Sequence, residues 1–365
     1  MAKVYLGDGN GIEVEPDQTV LDALLDSGEK VPHSCKAGSC QSCLMRAVDG
    51  ELSGKSQQGI KPTLRAQGYF LACMEKPSDD LRVSVGQAEA LSVAASVVSV
   101  EPLSADVVKL TIDPSEDLDY RPGQFLNLVR REDGLVRSYS IASVPGWDSF
   151  ADRAAIEVEA GSEAVEGEVA SGTRQGSGTS TGQVGGGVEM HVRRLPGGRM
   201  SNWIASELRE GDGLDVRGPA GECFYMPGEP EQPLLLAGTG TGLAPLWGIV
   251  RDALQQGHTG EIVLYHGALN ADGLYMVDEL QALAAAHPNV TYRRCLLNGE
   301  ADAEGGCTIG RIDQAILQDQ PSLKGWRVFL CGDPGLVNAM RKKVFLAGAS
   351  MQAIYADAFL TAKPE

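Results

Sequence analysis

Cys35, Cys40 and Cys43 fall within nine residues in the spacing C-x4-C-x2-C, and Cys73 follows after a gap of 29 residues. Thiolates so close along the chain require a loop that curls around a metal centre, and Gly38 gives that loop backbone freedom. The spacing is that of plant-type [2Fe–2S] centres. Structural zinc prefers short paired knuckles separated by a longer gap. A Rieske centre needs two histidines where only His33 is at hand. Zinc, or four buried thiols without a metal, is the competing reading.

A second group of residues has the chemistry to hold a phosphorylated cofactor. Arg137-Ser138-Tyr139-Ser140 offers a guanidinium for phosphate, an aromatic ring to pack on a flavin, and hydroxyls for hydrogen bonding. Gly197-Gly198-Arg199-Met200-Ser201 precedes a predicted helix, where free N–H groups and the helix dipole favour an anion; an ordinary N-cap would read the same way. Gly238-Thr239-Gly240-Thr241-Gly242-Leu243-Ala244-Pro245 follows the apolar run PLLLA and opens another helix. Glycines there let the backbone approach a pyrophosphate, although the pattern departs from G-x-G-x-x-G. Cys331-Gly332-Asp333-Pro334 ends the strand-like WRVFL, and Phe359 is the last aromatic of the chain. Cys331 alone would pass for a small buried hydrophobe and Phe359 for a core plug.

Three kinds of element must position these groups. Residues 1–88 read as short strands, a helix in TVLDALLDSG, a Cys-rich loop and a closing strand LRVSV, with a linker near 86–93. Residues 94–228 carry closely spaced strands, SVVSVEPL, DVVKLTID, GQFLNLVR, LVRSYSIAS, AAIEVEA and VEMHVRRL, and one helix, MSNWIASEL; this is the pattern of an antiparallel barrel. Residues 229–365 alternate strands with helices, the pattern of a parallel α/β sheet. Residues 160–187, rich in Gly, Ser, Thr and Glu, read as a flexible insertion between barrel strands.

The net charge is −18, with 49 acidic against 31 basic residues, which argues against nucleic acid or an anionic membrane surface as the main partner. No signal peptide and no long apolar span is visible, and the scattered cysteines do not resemble a secreted disulfide scaffold, so a reducing cytoplasm is expected.

Taken in order, C-x4-C-x2-C…C, RSYS, GGRMS, GTGTGLAP, CGDP and a terminal DAF resemble the ferredoxin–NADP+ reductase superfamily along nearly the whole chain. More specifically they resemble the three-domain reductases of the benzoate dioxygenase and soluble methane monooxygenase type. That resemblance implies a multidomain fold: a β-grasp plant-type ferredoxin (α+β), an antiparallel β-barrel FAD domain and an α/β parallel-sheet NAD domain. It implies cluster ligation by Cys35, Cys40, Cys43 and Cys73. Those relatives usually carry Gly after the second cysteine, where this chain has Gln41. FAD is implied rather than FMN, contacted by Arg137, Ser138, Tyr139 and Ser140, with Gly198, Met200 and Ser201 at its pyrophosphate. Gly238 to Gly242, Ala244 and Pro245 would bind the nicotinamide cofactor, with Cys331, Gly332 and Asp333 near the nicotinamide. Ser140, Cys331 and Phe359 are the implied catalytic group, Phe359 covering the flavin ring until nicotinamide displaces it.

The expected path runs from NADH to FAD to [2Fe–2S] to an oxygenase component, or to a non-oxygenase acceptor such as a dehydratase, a desaturase or a separate ferredoxin. A flavin is needed because nicotinamide gives electrons in pairs and the cluster takes them singly. NADH is expected over NADPH because ALNADG, after EIVLYHG, offers Asp272 for a ribose hydroxyl and no basic residue for a 2′-phosphate. Arg293 and Arg294, on the next strand, are the alternative phosphate carriers.

Overall fold

The computed structural model describes residues 2–7, 9–84, 91–147, 187–299 and 307–360. Three sheets follow one another along the chain. The first holds β1 (Lys3–Leu6), β2 (Gly11–Glu13), β3 (Leu44–Asp49), β4 (Tyr69–Leu71) and β5 (Leu81–Ser84) in the order β2-β1-β5-β3-β4. β1 and β5 run parallel and the other pairs antiparallel. A helix, Val20–Asp26, lies in the same unit, opened by Thr19, whose hydroxyl accepts from the Asp22 N–H. Val4, Leu21, Leu24, Phe70 and Val83 fill this core.

The second sheet is antiparallel, with β6 (Val93–Pro102), β7 (Val107–Pro114), β8 (Phe125–Val129), β9 (Val136–Ser140), β10 (Val188–Arg193) and β11 (Gly213–Ala220) in the order β10-β7-β6-β11-β8-β9. A bridge between Ile141, just past β9, and Met190 of β10 joins its two edges and closes it into a barrel. Leu110, Leu126, Leu128 and Met190 pack its interior, and helix Arg199–Ser206 contributes Met200, Trp203 and Ile204 to the same core. All of AAIEVEA, and 160–187 apart from Gly187, lie outside the described residues.

The third sheet is wholly parallel, ordered β15 (Cys307–Ile309), β14 (Val290–Leu296), β13 (Ile262–Ala268), β12 (Leu234–Thr239), β16 (Arg327–Gly332), β17 (Ile354–Ala358). The chain runs outward from β12 in one direction and returns to β16 on its other side. The gap between the carboxyl ends of β12 and β16 is therefore a topological switch point, where open α/β sheets bind ligands.

β11 stands between β6 and β8 at the centre of the barrel sheet, although GLDVRGPA carries two glycines and a proline and reads locally as a loop. Likewise IYADA, in the sequence a tail, is the edge strand β17.

Candidate functional site

The cluster loop runs from Cys35 to Cys43 and is shaped by three left-handed residues, Lys36, Gly38 and Gln41. Gln41 holds φ at 57°, a conformation that favours glycine. Its side-chain amide donates to the Gly59 carbonyl at 2.8 Å, which ties the residue down. The four thiols form two pairs. Cys35 and Cys40 exchange backbone N–H···S bonds at 3.4 Å in each direction, and the Ala37 N–H adds a third at 3.3 Å. The Cys35 thiol is pulled down to about 5, first by its bond with the Cys40 thiol and then, against burial, by these amides. Cys43 and Cys73 are coupled in the same way, with Cys43 raised and Cys73 lowered by the bond between them.

Among the described residues no three His, Cys, Asp or Glu side chains gather around a single ion. Two thiol pairs, each supplied with amide donors for anionic sulfur, instead suit a dinuclear centre with two ligands per iron. The residues present fit the cluster.

Cys35 and Cys40 also line one end of a cavity of about 1490 Å3. Its walls then pass through Arg137, Ser138, Tyr139 and Ser140 at the end of β9, and through Gly198, Met200 and Ser201 at the start of helix Arg199–Ser206. The N-cap of this helix is Gly198, so no side chain closes its first turn. A Cβ there would stand 2.5 Å from Ser201 Oγ, so the turn is tight because the residue is glycine. The far wall is the switch point, with Thr239, Gly240, Thr241 and Ala244 from the turn after β12 and Gly332 and Asp333 from the end of β16. Asp272 and Phe359 complete it. Gly198, Gly240 and Gly332 border this cavity, residues that let a backbone approach a phosphate closely.

Four of the residues predicted to hold FAD or the nicotinamide cofactor do not line the cavity. Gly238, Gly242 and Pro245 are buried in the strand β12, the turn and the helix that shape it. A Cβ on Gly242 would come within 2.3 Å of the Cys331 carbonyl oxygen, so this glycine lets the β12 turn close on β16. Cys331 is fully buried, with Sγ 3.6 Å from Cys223 Sγ, and burial and this neighbour push its thiol up. Its backbone, rather than its thiol, shapes the switch point.

Of the two arginines considered for a 2′-phosphate, neither Arg293 nor Arg294 borders the cavity. Arg311 does, but its guanidinium is paired in bidentate fashion with Asp313 at 3.1 and 3.0 Å, and Lys343 shares that carboxylate at 2.6 Å.

Asp357 of β17, the first residue of the terminal DAF, has no role assigned to it by the sequence pattern. It lines the cavity two residues before Phe359, and alternation along a strand sets both on one face. Ser140 donates to it at 3.0 Å, and burial raises its carboxyl to about 6 against that bond. An acidic residue at i−2 from the terminal aromatic was the available signal.

Family models match in chain order: a 2Fe-2S iron-sulfur cluster binding domain over residues 4–78, an oxidoreductase FAD-binding domain over 162–225 and an oxidoreductase NAD-binding domain over 236–342. The chain is 30% identical over 346 residues to the ferredoxin–NAD(P)+ reductase component of the Pseudomonas putida naphthalene 1,2-dioxygenase system, covering 93% of each. It is 27% identical to the Yersinia pestis CDP-6-deoxy-L-threo-D-glycero-4-hexulose-3-dehydrase reductase, over 94% of each chain. Among solved structures, an Amycolatopsis cytochrome P450 reductase superposes with a TM-score of 0.61 at 29% identity, over 98% of this chain and 99% of that one.

Proposed function

The chain belongs to the iron–sulfur flavoprotein reductases that include the naphthalene dioxygenase reductase component, and from that premise we propose that NADH is its donor and an oxygenase component its acceptor. As a member it is an oxidoreductase with an NAD-binding, an FAD-binding and a [2Fe–2S] domain. FAD, when bound, supplies the conversion of a nicotinamide electron pair into single electrons.

The observation that carries the reading is the single cavity that meets Cys35 and Cys40 at one end and the Thr239–Thr241 turn at the other, with Ser138–Ser140 between. We assign Arg137, Ser138, Tyr139, Gly198, Met200 and Ser201 to FAD, Thr239–Thr241, Ala244, Asp272, Gly332 and Asp333 to the nicotinamide dinucleotide, and Cys35, Cys40, Cys43 and Cys73 to the cluster. Phe359, with Ser140 and Asp357 beside it, lies where nicotinamide and flavin would meet. Ser140 holds its hydroxyl proton on Asp357, and that carboxyl stays protonated up to about pH 6. The working units on this reading are residues 1–88, 94–228 and 229–365.

NADH is favoured because Arg311, which lines the cavity together with Asp272, is engaged by Asp313. A cytoplasmic setting is favoured by the cysteines, of which four are assigned to the cluster and the other four are unbridged thiols. No helix among the described residues is long and apolar enough to cross a membrane. The dehydrase reductase relative supports a second reading, in which the acceptor is a sugar dehydratase. The test is anaerobic reduction of a purified Rieske-type aromatic oxygenase component by NADH and catalytic amounts of this chain. Transfer to the dehydratase but not to the oxygenase would reverse the assignment.

A further inference from the structure

Asn127 is a polar residue inside an apolar strand. It stands on β8 between Leu126 and Leu128, both fully buried, and is itself only 4% exposed. Asparagine is a poor strand former, and burying its amide is costly unless its hydrogen bonds are made. Here they are made, and they join two domains. Nδ2 donates to the Cys40 carbonyl at 2.9 Å, and Oδ1 accepts from Ser42 Oγ at 3.2 Å, both in the cluster loop. The same Oδ1 accepts from Ser138 Oγ at 2.7 Å, on the neighbouring barrel strand. Ser138 and Cys40 both line the large cavity, whereas Asn127 does not. Both acceptor positions of the amide and one of its two N–H groups are therefore used.

A purely barrel-stabilising role would be met by Ser138 alone, or by an apolar residue like its neighbours. The bonds to Cys40 and Ser42 are instead made to a loop 85 to 87 residues away in sequence. A further bond across the same junction, from Arg137 to the His33 carbonyl, is longer at 3.3 Å, and that guanidinium also donates to its own strand.

We propose that Asn127 is the latch that docks the cluster loop onto the flavin barrel and fixes the spacing between the two redox sites. It is a positioning residue: it touches a ligand's backbone on one side and the cavity wall on the other. The inference rests on the proposed electron path, but its docking component is measurable separately.

The test uses the full-length, FAD- and cluster-loaded chain with Asn127→Leu and Asn127→Asp. Leucine removes all three bonds. Aspartate keeps the two serine contacts and sets a carboxylate oxygen against the Cys40 carbonyl. FAD and iron content, and NADH–ferricyanide turnover, should stay within about twofold of the parent, with KM for NADH unchanged. NADH–cytochrome c turnover, which needs the cluster, should fall by roughly tenfold or more as the cluster loop loses its fixed place against the barrel. Independently of activity, small-angle scattering should show a radius of gyration larger by about 1–2 Å for the leucine variant as the first domain comes off the barrel. Cytochrome c turnover at the parent level in both variants, or an unchanged radius alongside lost turnover, would overturn the latch. If the parent itself fails to pass electrons from NADH to cytochrome c, the electron path is wrong, and the scattering comparison still decides the docking.

Discussion

Ser140 at the end of β9 and Asp357 on β17 are 217 residues apart in sequence and joined by a 3.0 Å hydrogen bond. The bond ties the barrel to the edge of the parallel sheet beside Phe359. An aspartate titrates near 3.8 in an unfolded chain and this one near 6 when folded, because burial outweighs the bond from Ser140. Between those values the folded chain holds the extra proton, so stability from this group falls as pH rises and the loss is complete above about 6. Asp357→Asn escapes that loss. Thermal unfolding of the FAD-free variant should show a gain over the parent between pH 4 and pH 8 on the order of 1–2 kcal/mol, allowing for partial exposure. A constant difference across that range would show that Asp357 does not titrate there.

Gly242 is required by close approach rather than by backbone angle. With its Cβ 2.3 Å from the Cys331 carbonyl, Gly242→Ala must push the β12 turn away from β16. The expected cost is about 1–3 kcal/mol in stability. A rise in KM for NADH of roughly tenfold should accompany it, with FAD content unchanged. Parent-like KM would place the nicotinamide dinucleotide elsewhere.

Nicotinamide preference is a third test. With Arg293 and Arg294 away from the cavity and Arg311 engaged by Asp313, kcat/KM should be at least roughly tenfold higher for NADH than for NADPH, about 1.4 kcal/mol. Equal efficiencies would show that Arg311 leaves Asp313 for a 2′-phosphate, and Arg311→Ala should then restore the NADH preference.

The cluster and flavin sites are built by separate sheets, so each should survive loss of the other. Cys40→Ser removes one ligand of the Cys35–Cys40 pair. The variant should lose the cluster, keep FAD, and retain NADH–ferricyanide activity within about twofold while cytochrome c reduction collapses. Loss of FAD would mean that the first domain is needed to fold the barrel.

The elements that hold the site were legible in proportion to how local their signals are. The cysteine spacing names its chemistry within nine residues, and PLLLAGTGTG announces a buried strand feeding a phosphate turn. β11 was not legible, because Gly213, Gly218 and Pro219 disfavour a strand and only the pairing of Gly213–Val216 with β6 and of Asp215–Ala220 with β8 stabilises it. Asn127 was hidden inside FLNLV, since its partners lie some 85 residues away. Asp357 was hidden because its edge strand exists only beside β16. β11 and Asn127 depend on non-local pairings that no local pattern encodes, whereas for Asp357 the spacing to Phe359 was the one local signal.

Electrons from NADH should reach the cluster through one continuous site on this chain. Anaerobic titration of the purified holoprotein with NADH, followed by visible absorbance and electron paramagnetic resonance, tests it most directly. A flavin accepting a pair and a cluster accepting one electron should together consume about 1.5 equivalents of NADH per chain, with the reduced-cluster signal reaching the amplitude that dithionite gives. Bleaching of the flavin at about one equivalent, with a cluster that stays oxidised in excess NADH yet is reduced by dithionite, would contradict the account.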